Sequence, residues 1–294
     1  MATYVIADIH GHKDEFDEMM SKISFCDEDE LYVLGDILDK GPKSAEMLLW
    51  ATTEAKDNVH FLRGNHEDMA KLVLERDPAG LCCLRYEDAW RHNGANETLD
   101  QLEAKTSPEW RRDVLMPWLE TLKPYTFVNV SGKEFALVHA GFNPYMYEGT
   151  DEKADFLALM GIDGINEPGA LMETYDLDHG LGRQYSQDLM WIRSTWIFST
   201  KPAPIETVFG HTYIKSESVG YMEEHEISDC SGGSGKISHI MNRHGIDCGC
   251  AYATEDDLDE DGASTYNLAC LRLDDMEEFY VPVIPYSPPV DWLW

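Results

Sequence analysis

The chain is 294 residues long, 43% hydrophobic and 11% aromatic, with 55 acidic against 23 basic residues and a formal net charge of −32. That length and apolar content suffice for a large core, and no run of eighteen apolar residues exists to cross a membrane. The charge argues against binding nucleic acid, whose phosphates such a surface repels, and disfavours any phosphorylated substrate unless the site itself is locally positive.

Met1 to Asp8 lacks a basic region followed by a long apolar stretch, so a cytoplasmic protein is expected. The seven cysteines are odd in number. Cys82-Cys83 are adjacent and Cys248-Gly249-Cys250 is too tight for a paired zinc knuckle, so reduced, mostly buried thiols are expected.

Thr3 to Ala7 read as a buried strand ending in Asp8-Ile9-His10-Gly11-His12, followed by a helix over Lys13 to Ile23 with Phe16, Met19, Met20 and Ile23 at helical spacing. Glu30 to Leu34 give a second strand, ending in Gly35-Asp36-Ile37-Leu38-Asp39-Lys40-Gly41-Pro42. Ser44 is placed as the cap of a helix through about Ala55. Val59 to Arg63 form a third strand, and Gly64-Asn65-His66-Glu67 turn out of it into a helix starting near Glu67. This alternation implies parallel pairing with right-handed crossovers, delivering three polar clusters to one sheet edge.

From about Leu81 to Leu122 the pattern is helical and carries Trp90, Trp110 and Trp118, expected to be core. Tyr125 to Val130 and Glu134 to Val138 form a hairpin ending in His139-Ala140-Gly141. Residues 143 to 186 read as long surface loops with a little helix. Order resumes at Leu189 to Arg193, and Thr207 to Phe209 form a strand ending in Gly210-His211-Thr212. The remainder, through Ile246-Asp247-Cys248-Gly249-Cys250 and Tyr266 to Leu273, suits a second, more antiparallel sheet packed on the first. No repeat or linker marks a boundary, so residues 1–294 are expected to form one domain, with a helical insert over about 80–122.

Asp8, His10, Asp36, Asn65, His139 and His211 each fall just after a predicted strand. Carboxylate and imidazole without thiolate suit Mn, Fe or Zn rather than a closed structural zinc. Six ligands are too many for one catalytic ion but suit two sharing a bridging carboxylate, for which Asp36 is the candidate. Such ions, roughly 3.5–4 Å apart, clamp the oxygens of an in-line displacement at phosphorus. Two divalent ions, two carboxylates and a hydroxide sum to about +1, and Arg63 with Arg193 raise that to about +3, so the site can attract anions within an acidic protein. His12 and His60 are expected to be structural. Asp257 to Gly262 imitates the first half of a calcium loop, but Leu268 stands where a bidentate glutamate is required, so an acidic surface loop is expected.

Taken together, Asp8-Ile9-His10-Gly11, Gly35-Asp36 with Asp39, Arg63-Gly64-Asn65-His66-Glu67, His139-Ala140-Gly141 and Gly210-His211-Thr212 resemble the calcineurin-like metallophosphoesterases, in particular the bacterial and phage form of the phosphoprotein-phosphatase branch. Trp90 with Asn93-Gly94 and Thr98-Leu99, Trp191-Ile192-Arg193 and Ile246 to Cys250 look like further landmarks. The resemblance implies a four-layer α-β-β-α sandwich of two mixed β-sheets flanked by helices (α/β, or α+β by some schemes). It implies two divalent ions, manganese foremost, with Asp8, His10 and Asp36 holding one and Asp36, Asn65, His139 and His211 the other. His66 paired with Asp39 would be the general acid, Arg63 and Arg193 would bind phosphate, and hydroxide on the metals would be the nucleophile. Two departures stand out: Lys40 replaces the usual arginine, losing bidentate geometry but keeping charge, and Glu255 to Ser264 look inserted.

Three functions are expected in order: a serine/threonine protein phosphatase; a symmetrical dinucleoside tetraphosphate hydrolase with the same chemistry; and a non-catalytic scaffold retaining the fold. The partner is a phosphorylated protein or a small phosphoester.

Overall fold

The computed structural model describes residues 1–75, 84–148, 174–224, 230–254, 258 and 264–286. Cys82-Cys83, the start of the expected helical insert, most of the 143–186 stretch and nearly all of the acidic loop at 255–264 lie outside these. Among the described residues, no helix is long and apolar enough to cross a membrane.

Two mixed sheets carry the fold. In the first, β1 (Thr3–Ile6), β2 (Glu30–Val33) and β3 (Val59–Phe61) run parallel, while β12 (Asn267–Arg272) and β13 (Glu277–Pro282) add antiparallel strands, in the order β13-β12-β1-β2-β3. The second has the order β4-β5-β8-β11-β10-β9, built from Tyr125–Val130, Lys133–Val138, Glu206–Phe209, Arg243–Gly245, Ser238–Ile240 and Cys230–Ser231. Its centre, β5-β8-β11, is parallel, so it is less antiparallel than the sequence suggests. Strands that short carry too few residues to show whether one face or both are buried.

Period-two alternation divides the apolar residues among the layers. Val5 and Ala7 of the first sheet meet Phe135, Leu137 and Val208 of the second in a shared inner core. Tyr4 and Ile6 point the other way, against Phe16 and Met19 of α1 (Lys13–Lys22) and Ala45 and Leu48 of α2 (Ser44–Thr53). On the far side, Ala136 and Val138 pack on Leu189 of α7 (Ser186–Trp191) and Trp196 and Ile197 of α8 (Ser194–Ile197). Each such fully buried aliphatic side chain contributes about 1.5–3 kcal/mol.

Between β3 and β4 lie α3 (Asn65–Glu75), α4 (Leu84–Trp90), α5 (Asn96–Lys105) and α6 (Met116–Thr121). Trp90 is fully buried in the first core, and Trp110 and Trp118 pack against it, as their helical spacing predicts. In the stretch read as loops, β6 (Thr174–Leu177) and β7 (Gly182–Tyr185) form an isolated hairpin. Its strands mix charged and apolar residues too briefly to register as alternation. Ser44 does not cap α2: Lys43 holds the cap position, and the Ser44 hydroxyl instead accepts the Asp39 N–H at 2.9 Å.

The sheet edge that bears the polar clusters depends on a close backbone approach. Gly35 has φ +95°, and a Cβ there would overlap the Gly64 backbone. Gly35→Ala should therefore lower stability by at least about 2 kcal/mol, read as a drop of several degrees in the thermal midpoint. An unchanged melt would refute this account.

Glu97 of α5 is buried with Oε1 lacking a hydrogen-bond partner, and burial pushes its carboxyl up from 4.5 to about 7. The folded state thus holds a proton that the unfolded chain releases, and the stability so gained is lost as pH rises through 7. Glu97→Gln should stabilise the protein above pH 7, with the difference shrinking toward pH 5 in paired denaturation curves; a gain that grows on acidification would contradict the assignment.

Candidate functional site

The polar clusters meet where β1, β2, β3, β5 and β8 end. Backbone bonds join the turns: His10 N–H to the Asp36 carbonyl at 2.8 Å, Gly11 N–H to Ile37 at 2.9 Å and Gly210 N–H to His139 at 2.7 Å. Asp8, His10, Asp36, Asp39, Lys40 and His211 all hold positive φ, half of the twelve non-glycine residues that do so among those described. Each such residue is held in a sparsely populated conformation by its surroundings, as is common where side chains are aimed for function.

Asp36 sits between two groups of potential ligand atoms, His10–Asp36–His66 and Asp36–His139–His211, each lying within 4.8 Å of one another. Its Oδ2 is 3.6 Å from His10 Nε2, and its Oδ1 is 3.5 Å from His139 Nε2. Asp36 is thus the carboxylate common to both groups. Glu67 fixes the turn, its carboxylate accepting the N–H groups of Asp36, Ile37 and Gly64 at 2.8–2.9 Å. Burial and the nearby Asp36 carboxylate push Glu67 up to about 8.

The tautomers are set from outside the site. His10 Nδ1 donates to the Leu38 carbonyl at 2.9 Å and His139 Nδ1 to Leu34 at 2.8 Å, leaving each Nε2 with an inward lone pair. His139 Nε2 lies 2.9 Å from Asn65 Oδ1, itself an acceptor, and His211 Nδ1 lies 3.0 Å from the same oxygen. His211 Nε2 is buried without a hydrogen-bond partner. Burial holds all three imidazoles below their usual range, hence neutral and able to ligate. Burial raises Asp36, but its neighbours, Lys40 and the His66 backbone N–H at 3.1 Å among them, outweigh it and bring it below its usual range. A nest of acceptors facing one another is repulsive unless a cation lies among them, and the oxygen–nitrogen donor set fits divalent metal.

Asp8 lies at the margin. Both its oxygens accept the His211 N–H, at 2.9 and 3.0 Å, and it falls in neither group of ligand atoms. Burial first, then the Asp247 and Asp36 carboxylates, raise its pKa. Those buried acids likewise call for positive charge nearby.

His66 and Asp39 form a buried dyad, with Nδ1 2.7 Å from Asp39 Oδ2. Asp39 is fully buried and held by Trp90 Nε1 at 2.7 Å and Thr98 Oγ1 at 2.5 Å. His66 Nε2 faces Asp36 at 3.7 Å. The two arginines differ. Arg193 donates to the His211 carbonyl at 2.8 Å, beside the cluster, whereas Arg63 reaches toward the Tyr175 hydroxyl at 3.4 Å and Asp68 at 3.6 Å. His12 pairs with Glu15 and His60 with Glu30, structural roles as expected.

Sequence reasoning assigns no role at the site to five residues that act here. Lys40 places Nζ 3.4 Å from His10 Nε2 and 5.3 Å from the Tyr252 ring centre. Trp90, Thr98 and Glu67 stood out in the motifs, but nothing in their spacing says which backbone or carboxylate each holds. Asp247, buried near Asp8, shows the same limit.

A family model described as calcineurin-like phosphoesterase matches residues 1–248. Among curated proteins, a symmetrical bis(5'-nucleosyl)-tetraphosphatase from Haemophilus ducreyi is 31% identical over 177 residues, covering 60% of this chain and 58% of that one. Its namesake from Buchnera aphidicola subsp. Acyrthosiphon pisum is 41% identical over 146 residues, covering 49% and 46%. The chain spans about half the length of the curated relatives it matches. In fold it is similar to a crystal structure named for a candidate diadenosine tetraphosphatase, with TM-score 0.50 and 15% identity over 96% of this chain and 94% of that one. The family match across most of the chain shows that the protein belongs to the calcineurin-like phosphoesterases, and the buried His/Asp groups stand at the sheet edge of that fold.

Proposed function

We propose that the protein hydrolyses symmetrical dinucleoside tetraphosphates, the second of the two substrates expected from sequence. The observation that carries this reading is the shared name of its curated relatives, 30–41% identical. The rim of the site is in keeping with it. Trp191 is partly exposed, edge-on to His211 at 5.9 Å, and Tyr252 lies exposed beside Lys40. Aromatic faces next to cations suit nucleotides better than a phosphoserine side chain.

On this reading Asp8, His10 and Asp36 hold one divalent ion and Asp36, Asn65, His139 and His211 the other, with manganese first choice and iron or zinc next. The pair, when bound, supplies an activated water and Lewis-acid stabilisation of the phosphoryl oxygens. The remaining work falls to the chain. Water adds to one of the two central phosphorus atoms and releases a proton to solvent as the bond to the bridging oxygen breaks, and that oxygen takes the proton from His66 Nε2, giving two nucleoside diphosphates. Asp39 orients the ring and stabilises its cationic form, while Arg193 and Arg63 hold phosphate oxygens. The scaffold reading would expect a lost ligand or acid, and the chain has both.

Parallel assays of metal-loaded protein on diadenosine tetraphosphate and a phosphoserine peptide test the substrate. Faster specific turnover of the dinucleotide, with ADP as product, is expected; faster peptide dephosphorylation would restore the protein-phosphatase reading. His66→Asn should reduce turnover by about 10²–10⁴-fold while metal analysis still finds two ions per chain. Loss of an ion instead would make His66 a ligand, as its proximity to His10 and Asp36 also allows.

A further inference from the structure

Beside the site lies a groove of about 620 Å³, within the range of pockets that enclose small ligands. Among the described residues, Arg63, Lys71 and Lys123 line it against one acidic lining residue, Glu120. In a chain with 55 acidic and 23 basic residues, three cations gather on this wall, with Asp68 3.6 Å from Arg63. Tyr125, Phe127 and Tyr175 line it too, with Tyr125 at 5.6 Å from Tyr175 and 5.7 Å from Phe127, each pair edge-to-face.

The groove is tied to the catalytic edge by the backbone. Arg63 N–H donates to the Lys123 carbonyl at 2.8 Å, two residues before Asn65. Tyr125 pairs with Val138, the residue before His139. The groove therefore opens on the side of the site where Asn65 and His139 stand, away from Lys40 and Tyr252 beside His10. A molecule cleaved at its centre must place one half on each side of the scissile bond.

We infer that this groove seats one nucleoside diphosphate half of the substrate, its phosphates on Arg63, Lys71 and Lys123 and its base against Tyr125 and Tyr175. The identity of that half rests on the dinucleotide reading above. The residues concerned carry no metal and are not part of the proton-transfer dyad.

The test compares wild type with a Lys71→Gln/Lys123→Gln double variant and a charge-keeping Lys71→Arg/Lys123→Arg variant. ADP is the probe, titrated calorimetrically into metal-loaded protein. The Gln variant should bind ADP at least tenfold more weakly and the Arg variant within threefold of wild type. KM for diadenosine tetraphosphate should rise in step with the ADP constant, with kcat changing less than threefold. ADP binding equally tight in all three proteins, or absent from wild type, would overturn the assignment. Lysine-dependent ADP binding without dinucleotide cleavage would sink the substrate reading and leave the groove standing; dinucleotide cleavage with lysine-independent binding would do the reverse.

Discussion

Acceptors confront acceptors at the centre of this protein, and the rest of the structure is organised to keep them there. Two backbone carbonyls, of Leu34 and Leu38, take the outer N–H of His139 and His10 and so commit the inner nitrogens to lone pairs. Asn65 and Asp36 add oxygens to the same small volume. Left alone, such a cluster would spread apart or take up protons. It is held by turns laced across the sheet edge, by Glu67 gripping three consecutive-turn amides, and by Gly64, where any Cβ would overlap the Asp36 carboxylate. The fold thus does in advance the work of assembling ligands, and leaves the attraction of a cation to complete it.

The parts legible in sequence were those with a period or a terminus. Buried strands ending in polar residues located Asp8, His10, Asp36, Asn65, His139 and His211 because a strand's apolar run stops where it meets the sheet edge. Helices α1 and α2 showed their spacing for the same kind of reason. What stayed hidden needed a third dimension. Thr98 is 59 residues from Asp39, yet donates to it. In sequence Lys40 reads as a substitution in a motif, whereas in the fold its ammonium stands 3.4 Å from His10 Nε2. Residues 174–185 form a hairpin whose composition says little, since the buried positions of β7 are Gly182 and Gln184, a glycine and an amide, and so leave no apolar alternation to read.

Charge is distributed with a consistent sense. Five acids, Asp8, Asp36, Asp39, Glu67 and Asp247, are buried at the site, while many others lie on the solvated surface. The basic residues are few, and several gather near the chemistry: Lys40 and Arg193 at the cluster, Arg63, Lys71 and Lys123 along the neighbouring groove. At the roughly 8 Å screening length of physiological salt, a remote acidic surface has little say over an anion already among those groups. The acidic exterior and a phosphate-handling interior are therefore compatible.

The two kinds of site residue answer to different parts of the architecture. The ligand nitrogens and oxygens take their positions from strand ends and from carbonyls of the first sheet. Asp39, and through it His66, is suspended from Ser44, Trp90 and Thr98, which belong to helices. On the proposed reading, a disturbance confined to those helices would loosen the proton donor without emptying the ion sites. Protein so damaged would pass a stoichiometry check on its ions and still be idle, so on that reading loading and competence would be separate properties.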